Sequence, residues 1–205
     1  MRDDTTITTV DGLREIYRLP SRPAVAKQID HLDANCRAFI AHSPFVTVAT
    51  ADAAGRCDVS PRGGLPGFVR VLDDRRLGIP DLSGNNRLDS MANLIESPGI
   101  GLLFMIPGLG ETLRVNGQAA ITTDPDTLAL CPIGEIVPRV VTVVTVEEAY
   151  IHCAKALRRA SLWHPDGWPD LSDLPRVACM LRDHYGLPDM DVDDVERRLA
   201  DSYER

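Results

Sequence analysis

The sequence lacks the features by which most metal sites, disulfide frameworks and nucleotide sites are found. Its five cysteines are scattered, odd in number and include no CxxC pair, so we predict reduced thiols rather than disulfides or structural zinc. His152 and Cys153 are adjacent and therefore point in different directions, which is poor geometry for one metal ion. The GxGxxG, GxxxxGK[ST], HExxH and GxSxG motifs are all missing. We therefore expect no metal site, and no catalytic nucleophile stands out.

The sequence also lacks long apolar runs and an excess of positive charge. No apolar run approaches the length that spans a bilayer, and the first ten residues, MRDDTTITTV, have no apolar signal-peptide core, so we expect a cytoplasmic protein. The net charge of −8 argues against a general nucleic-acid or anionic-membrane surface. A chain of 205 residues can fill one core, and we expect a single domain over 1–205.

The hydrophobic pattern divides that domain into N-terminal helices (1–42), a barrel core (43–150) and a C-terminal helical segment (151–205). Apolar residues at three- and four-residue intervals predict one long helix from about Val25 to Ile40. Short β-rich runs with hairpin turns and no βαβ alternation predict antiparallel strands in a small barrel or closed sheet. We predict strands at 45–50, 56–60, 68–72, 75–79, 100–106, 111–121 and 140–146, and a helix over 147–159.

The stretch LGIPDLSGNNRLDSMANLIESP, residues 77–98, is the most informative part of the chain. It predicts a short strand, a polar turn and a helix over about 88–96. The turn offers Ser83, Asn85, Asn86 and Arg87 beside the free amides of a helix start, a set of donors that suits a phosphate. From the spacing alone, an ordinary asparagine helix cap with a surface arginine is the slightly better interpretation.

Three other segments carry polar groups that could line a pocket. Ser60 and Arg62 lie in a Gly- and Pro-rich segment that could instead be a wide hairpin. Alternation places Thr112, Arg114 and Asn116 on one face of a strand and Leu113 and Val115 on the other, although the polar face could simply meet solvent.

The last of these segments contains Lys155, one of only two lysines beside 20 arginines, and Trp163, which could stack on an aromatic ligand. The simpler interpretation is that Trp163 packs on the core and that Lys155 sits in water.

Taken together, four segments in this order resemble the pyridoxamine 5'-phosphate oxidase-like family of FMN-binding split-barrel flavoproteins. They are SPFVTVATADAAGRCDVSPRGG, LGIPDLSGNNRLDSMANLIESPGIGLLFMIPG, ETLRVNGQA and IHCAKALRRASLW. The GNNR turn and the HCxKA segment are most similar to an uncharacterised bacterial subgroup. The resemblance implies a mainly β (α+β) fold, a six-stranded antiparallel split β-barrel with flanking helices, and a homodimer with FMN at the subunit interface.

Carried onto this chain, the resemblance implies a set of cofactor-binding residues. The phosphate would be held by Ser60, Arg62, Asn85, Asn86 and Arg87. The flavin ring would lie beside Ile79, Pro80 and Asp81. Glu111 and Thr112 would reach FMN from the partner chain, and Lys155 and Trp163 would close the pocket.

The resemblance implies an FMN-dependent oxidoreductase acting on a small organic substrate, with catalytic residues that the sequence does not identify. Arg62, Arg114 or Lys155 could place a cation near the pyrimidine end of the ring. The Arg-rich C-terminal signature of the vitamin-producing oxidases is absent, and Cys57 stands where those enzymes carry an arginine, so vitamin B6 synthesis is not predicted. A non-catalytic flavin- or haem-binding protein, or a deazaflavin-dependent reductase on the same barrel, are the alternatives.

Overall fold

The structure is a computed structural model that describes residues 5–81 and 84–203. The chain divides into two compact units, the first ending at Trp163 and the second beginning at His164. The first unit contains the sheet and the second contains only helices. The expectation of one domain over 1–205 stays a prediction.

Seven strands and eight α-helices are formed in the described chain. The strands are β1 (Phe45–Ala51), β2 (Cys57–Gly63), β3 (Arg70–Val71), β4 (Arg76–Pro80), β5 (Gly99–Met105), β6 (Thr112–Thr122) and β7 (Val141–His152). The helices are α1 (Val10–Ile16), α2 (Arg22–Ala26), α3 (Ala34–His42), α4 (Asp89–Glu96), α5 (Pro125–Leu130), α6 (Lys155–Arg159), α7 (Val177–Tyr185) and α8 (Val192–Tyr203).

All seven strands join one antiparallel sheet in the order β2-β1-β5-β6-β7-β4-β3. Six of them have five or more residues, and β3 adds only two. This confirms the mainly β, antiparallel split-barrel fold with flanking helices. The long strands β6 and β7 form the centre of the sheet and pair along almost their whole length.

Side chains alternate between the two faces of each strand, so every second residue of β1 and β6 can lie on the face that carries the core. Val46 and Val48 of β1 are buried, and so are Leu113 and Val115 of β6. Arg114, between the last two, is only half-buried. The predicted two-faced character of this part of β6 is therefore confirmed.

The helix predicted over 147–159 is wrong. Residues up to His152 continue β7, and only Lys155–Arg159 form a helix. Arg114 pairs with Tyr150 and Thr112 with His152, so the neighbouring strand supplies the backbone hydrogen bonds that a helix would otherwise make. Tertiary pairing has overridden a good local helix propensity.

The single long helix predicted between Val25 and Ile40 is also wrong, because two shorter helices, α2 and α3, replace it. Asp33 ends any continuous helix, since its carboxylate accepts from the backbone N–H of Cys36 at 2.7 Å and caps α3. Ile29, in the connection, makes an isolated antiparallel bridge with Ala149 of β7.

The helix α4 packs on β1, β2 and β6 and follows the strand β4 through the polar turn. Leu94 is buried in the core, whereas Ile95 is 78% exposed. Asn93 is also buried and bonds to the sheet. The sequence prediction of a strand, a turn and a helix in this stretch is confirmed.

The second unit is a pair of helices, α7 and α8, that pack through Ala178 and Val195. Arg176 at the start of α7 pairs with Asp193 and Glu196 of α8. Over the described chain as a whole, no helix is both long enough and apolar enough to cross a membrane.

Candidate functional site

The turn between β4 and α4 has an unusual backbone. Asn86 and Leu88 adopt the left-handed conformation at φ of 58° and 60°, which non-glycine residues rarely use. Leu88 is the N-cap of α4, and among the described residues no side-chain hydrogen bond caps the helix. The alternative of an ordinary asparagine cap is therefore wrong. Asn85 instead accepts from the backbone N–H of Arg87 at 3.1 Å. Ser83 lies outside the described residues.

The first turn of α4 is left with backbone amides that no described side chain caps. These amides and the helix dipole give the helix start a partial positive charge. Residues in sparsely populated backbone conformations are often found where a chain holds a ligand. The turn therefore has the chemistry of an anion-binding site.

Arg87 stands beside this helix start with its side chain 73% exposed. Its Nε donates to Asp89 Oδ2 at 2.8 Å, and this bond raises the pKa of Arg87. An exposed ion pair of this kind contributes little to stability and opens readily. Arg87 can therefore exchange the carboxylate of Asp89 for a ligand.

A second cation reaches the same helix from β2. Arg62 Nη2 donates to Ser90 Oγ at 3.4 Å, and Ser90 Oγ donates to Ser60 Oγ at 3.3 Å. Ser90 is buried at the first turn of α4. Both predicted residues of β2, Ser60 and Arg62, thus lie at the start of this helix.

The predicted ring-side residues share a small recess with that cation. Ile79, Pro80 and Asp81 line it together with Arg62 and Ser90. Its cavity volume is about 20 Å³, about enough for one water molecule.

Asn93 fixes the position of α4 on the sheet. Its Nδ2 donates to Thr50 Oγ1 at 3.1 Å and to Asp58 Oδ2 at 2.7 Å. These two acceptors lie on β1 and β2, so the bonds hold the helix against both strands. The amides at the helix start are therefore held in place relative to Ser60 and Arg62.

Eight of the twelve predicted residues are not among those lining the recess. Four of these eight, Ser60, Asn85, Asn86 and Arg87, lie in the turn or beside the helix start, and the other four lie elsewhere. Glu111 and Thr112 lie where β6 begins, and Thr112 is buried. Lys155 begins α6 and is exposed, while Trp163 Nε1 donates to the backbone oxygen of Leu109 at 2.8 Å. This single chain does not bring them to the helix start.

Sequence reasoning missed Asp89, Ser90 and Asn93. A signal was available, because Ser90 and Asn93 are three residues apart and so share one helix face. That face also carries Leu94 toward the core, so polar side chains on it need buried partners. Within the ranges 5–81 and 84–203, no three His, Cys, Asp or Glu side chains come together in a group that could hold a metal.

Comparison with known proteins gives a family match and several structural likenesses. Residues 32–153 match the family model described as pyridoxamine 5'-phosphate oxidase. A comparison with curated protein sequences gives no match.

Three solved structures illustrate the likeness. HupZ from Group A Streptococcus is 23% identical, with a TM-score of 0.45 over 55% of this chain and 87% of its own. An FMN-binding protein from Syntrophomonas wolfei is 13% identical, with a TM-score of 0.44 over 57% and 83%. A pyridoxinephosphate oxidase family protein from Clostridium acetobutylicum, related to a general stress protein, is 13% identical, with a TM-score of 0.44 over 58% and 85%.

With identities under 25% and TM-scores under 0.5, these structures assign no function to the chain. The family match is different, because it spans more than half of the chain and includes the whole sheet, the polar turn and α4. The protein belongs to the pyridoxamine 5'-phosphate oxidase family.

Proposed function

We propose that the protein binds FMN and acts as an FMN-dependent oxidoreductase on a small organic substrate. The observation that carries this proposal is the uncapped start of α4, flanked by Arg87 on the turn and by Arg62 from β2. A phosphate dianion needs several donors at once, and helix amides together with two guanidinium groups supply them. Membership of the family supports the choice of a flavin nucleotide.

In this proposal, the phosphate is held by the turn and by the neighbouring strand. Arg87 leaves Asp89 and pairs with the phosphate, because a charge-assisted bond to a dianion outweighs an exposed ion pair. The left-handed backbone at Asn86 presents the turn amides, and the Asn85 amide group adds a further donor. Arg62 and Ser60 approach from β2.

The ring would lie along the end of β4, beside Ile79, Pro80 and Asp81. The recess, at about 20 Å³, is too small to enclose a flavin ring, so in this proposal the ring lies across its mouth and this chain covers only one of its faces. We propose that a second copy of the chain covers it in a homodimer. The residues that would reach the ring from that copy are Glu111, Thr112, Lys155 and Trp163.

When bound, FMN would supply hydride transfer. The task of the chain would be to fix the phosphate at the helix start and to keep a positive charge beside the ring. Within one chain, Arg62 suits that second task, because it lines the recess, whereas Arg114 does not. Lys155 would approach the ring only from the second copy. The hydrogen bond from Arg62 to Ser90 keeps the guanidinium oriented.

Apo-protein is titrated with FMN, and binding is measured from the quenching of flavin fluorescence. Two variants with opposite expected effects test the proposal. Arg87→Gln should weaken FMN binding by about 10- to 150-fold, the value of a charge-assisted hydrogen bond. Asp89→Asn should tighten binding by about two- to fivefold, because it frees Arg87 and removes a carboxylate that repels the phosphate.

Arg56→Gln is the matched control. Arg56 is also exposed and also paired with a nearby aspartate, Asp52, but it lies in the β1–β2 hairpin. It should leave the affinity for FMN unchanged. If Arg87→Gln also leaves the affinity for FMN unchanged, Arg87 does not bind the phosphate.

The spectrum of the purified protein separates the cofactor classes. A flavin spectrum supports the proposal, whereas a Soret band would favour haem, and failure to take up FMN would overturn it. Deazaflavin-dependent reduction is tested by supplying reduced deazaflavin cofactor in place of FMN. Anaerobic bleaching of the bound flavin by NADH or NADPH then separates a reductase from a passive flavin-binding protein.

A further inference from the structure

A second group of cations lies on the outer face of β6 and β7. We call it the Arg114 cluster, and it consists of Lys27, Arg114, Tyr150 and His152. The strand register places Arg114 opposite Tyr150, and His152 follows two residues later on the same face of β7. None of the four residues lines the recess at α4.

Tyr150 holds both long cationic side chains in place. Its hydroxyl accepts from Arg114 Nη1 at 2.8 Å, and Arg114 Cζ lies 5.5 Å from the ring centroid. Lys27 Nζ lies 4.9 Å from the same centroid and donates to the backbone oxygen of Ile151 at 2.8 Å. Both cations are thus ordered before any ligand arrives, which lowers the entropy cost of binding one.

The two cations have no acidic partner in the described part of the chain. Neither Arg114 nor Lys27 belongs to any of its ion pairs. The nearby carboxylate of Glu148 accepts instead from Asn116. Arg114 carries five N–H groups and uses one of them on Tyr150, and it makes no other side-chain hydrogen bond in the described part of the chain.

His152 reports the positive potential of this cluster. Its ring centroid lies 5.0 Å from that of Tyr150, and its Nε2 is buried without a hydrogen-bond partner in the described chain. Burial, and then the charges of Arg114 and Lys27, lower the pKa of His152 below 6.5. The imidazole is therefore neutral at pH 7, beside two cations that form no ion pair in the described part of the chain.

We propose that Arg114 and Lys27 form a binding site for an oxyanion, the carboxylate or phosphate group of a small molecule. The planar fork of Arg114 can donate two parallel hydrogen bonds to such a group, and Lys27 supplies a second positive charge. Tyr150 is the positioning residue that orients both. The site does not depend on the proposed flavin phosphate site, which uses other residues.

Nuclear magnetic resonance of isotope-labelled histidine tests this proposal, with the His152 signals identified by a His152→Gln variant. Inorganic phosphate and acetate are titrated separately into the protein, with and without FMN. We expect a saturable change in the His152 signals and a rise in the pKa of His152, because a bound anion offsets the two cations. The stronger response of the two identifies the class of oxyanion.

Two variants separate this site from the flavin site. Arg114→Gln should weaken the anion affinity measured from the His152 signals by about 10- to 150-fold, the value of a charge-assisted bond, and should leave FMN affinity unchanged. Arg87→Gln should weaken FMN binding and should leave the His152 response to the anion unchanged. The effect of Arg114→Gln on the His152 signals is also measured in the apo-protein. It therefore tests the oxyanion site even if the bound cofactor is not FMN.

Three results would overturn the proposal. The His152 signals could be insensitive to both anions, or equally sensitive in the Arg114 variant. Phosphate could act only while the protein is monomeric, which would assign the cluster to a contact between copies. Arg114→Gln could weaken FMN binding as strongly as Arg87→Gln does, which would place Arg114 in the cofactor site.

Discussion

Replacing Asn93 with alanine should destabilise the protein and loosen the proposed phosphate site together. The Asn93 amide is buried on α4 and donates two hydrogen bonds, to Thr50 Oγ1 at 3.1 Å and to Asp58 Oδ2 at 2.7 Å. Asn93→Ala removes both bonds. Thr50 is only 4% exposed, so water can hardly replace the lost donor there.

The magnitude follows from the two acceptors. A hydrogen bond to a neutral hydroxyl contributes about 1 kcal/mol, and one to a carboxylate about 1.5–3 kcal/mol. Water can reach part of the half-buried Asp58 carboxylate, which reduces the loss at that acceptor. We therefore expect the free energy of unfolding to fall by about 2–4 kcal/mol.

Urea unfolding followed by far-ultraviolet circular dichroism measures this change. Ile95→Ala is the matched control, because Ile95 lies on the same helix and is 78% exposed, so its loss should change the unfolding free energy by less than about 0.5 kcal/mol. Asn93→Asp should also destabilise the protein, since it sets a second carboxylate beside Asp58. If Asn93→Ala and Ile95→Ala have equal effects, the hydrogen bonds do not hold α4.

The remaining predictions concern the two central strands. Gly117→Ala should cost about 3 kcal/mol or more, because its new Cβ would lie 1.9 Å from the backbone oxygen of Thr145. Gly99→Ala, which meets nothing within 4 Å, should be nearly neutral in the same urea experiment. The pKa of His152 is lower in the folded protein than its ordinary 6.5, so the unfolded chain binds more protons below that pH. The contribution of His152 to the free energy of unfolding is therefore fully present above pH 6.5, and it is lost as the pH falls toward the pKa of His152 in the folded protein. His152→Gln should flatten that part of the stability profile, and an unchanged profile would contradict the assignment.

The polar turn shows what local sequence can predict. The strand β4, the turn and α4 follow one another within about two dozen residues, and each has its own signal of β-rich, polar or amphipathic sequence. The boundary of the helix was predicted within one residue. The cap was not, because the backbone at Leu88 adopts a conformation that its side chain disfavours.

The strand β7 shows where local sequence fails. Residues 147–152 carry side chains that suit a helix, and periodicity alone cannot separate a short amphipathic helix from a strand. The error concealed the Arg114 cluster, because Tyr150 and His152 meet Arg114 only as members of a strand. A prediction of this cluster needed the register of β6 against β7.

By itself, the sequence determined the antiparallel class of the sheet, the strand–turn–helix unit and the family, because hydrophobic period, turn residues and ordered motifs are local properties. Tertiary structure decided how far β7 extends, which partner holds each cation and how α4 is attached to the sheet. Asn93 and Thr50 are 43 residues apart, and Arg114 and Tyr150 are 36 apart. Such pairs form only when strand register and helix packing bring distant donors and acceptors within hydrogen-bond distance.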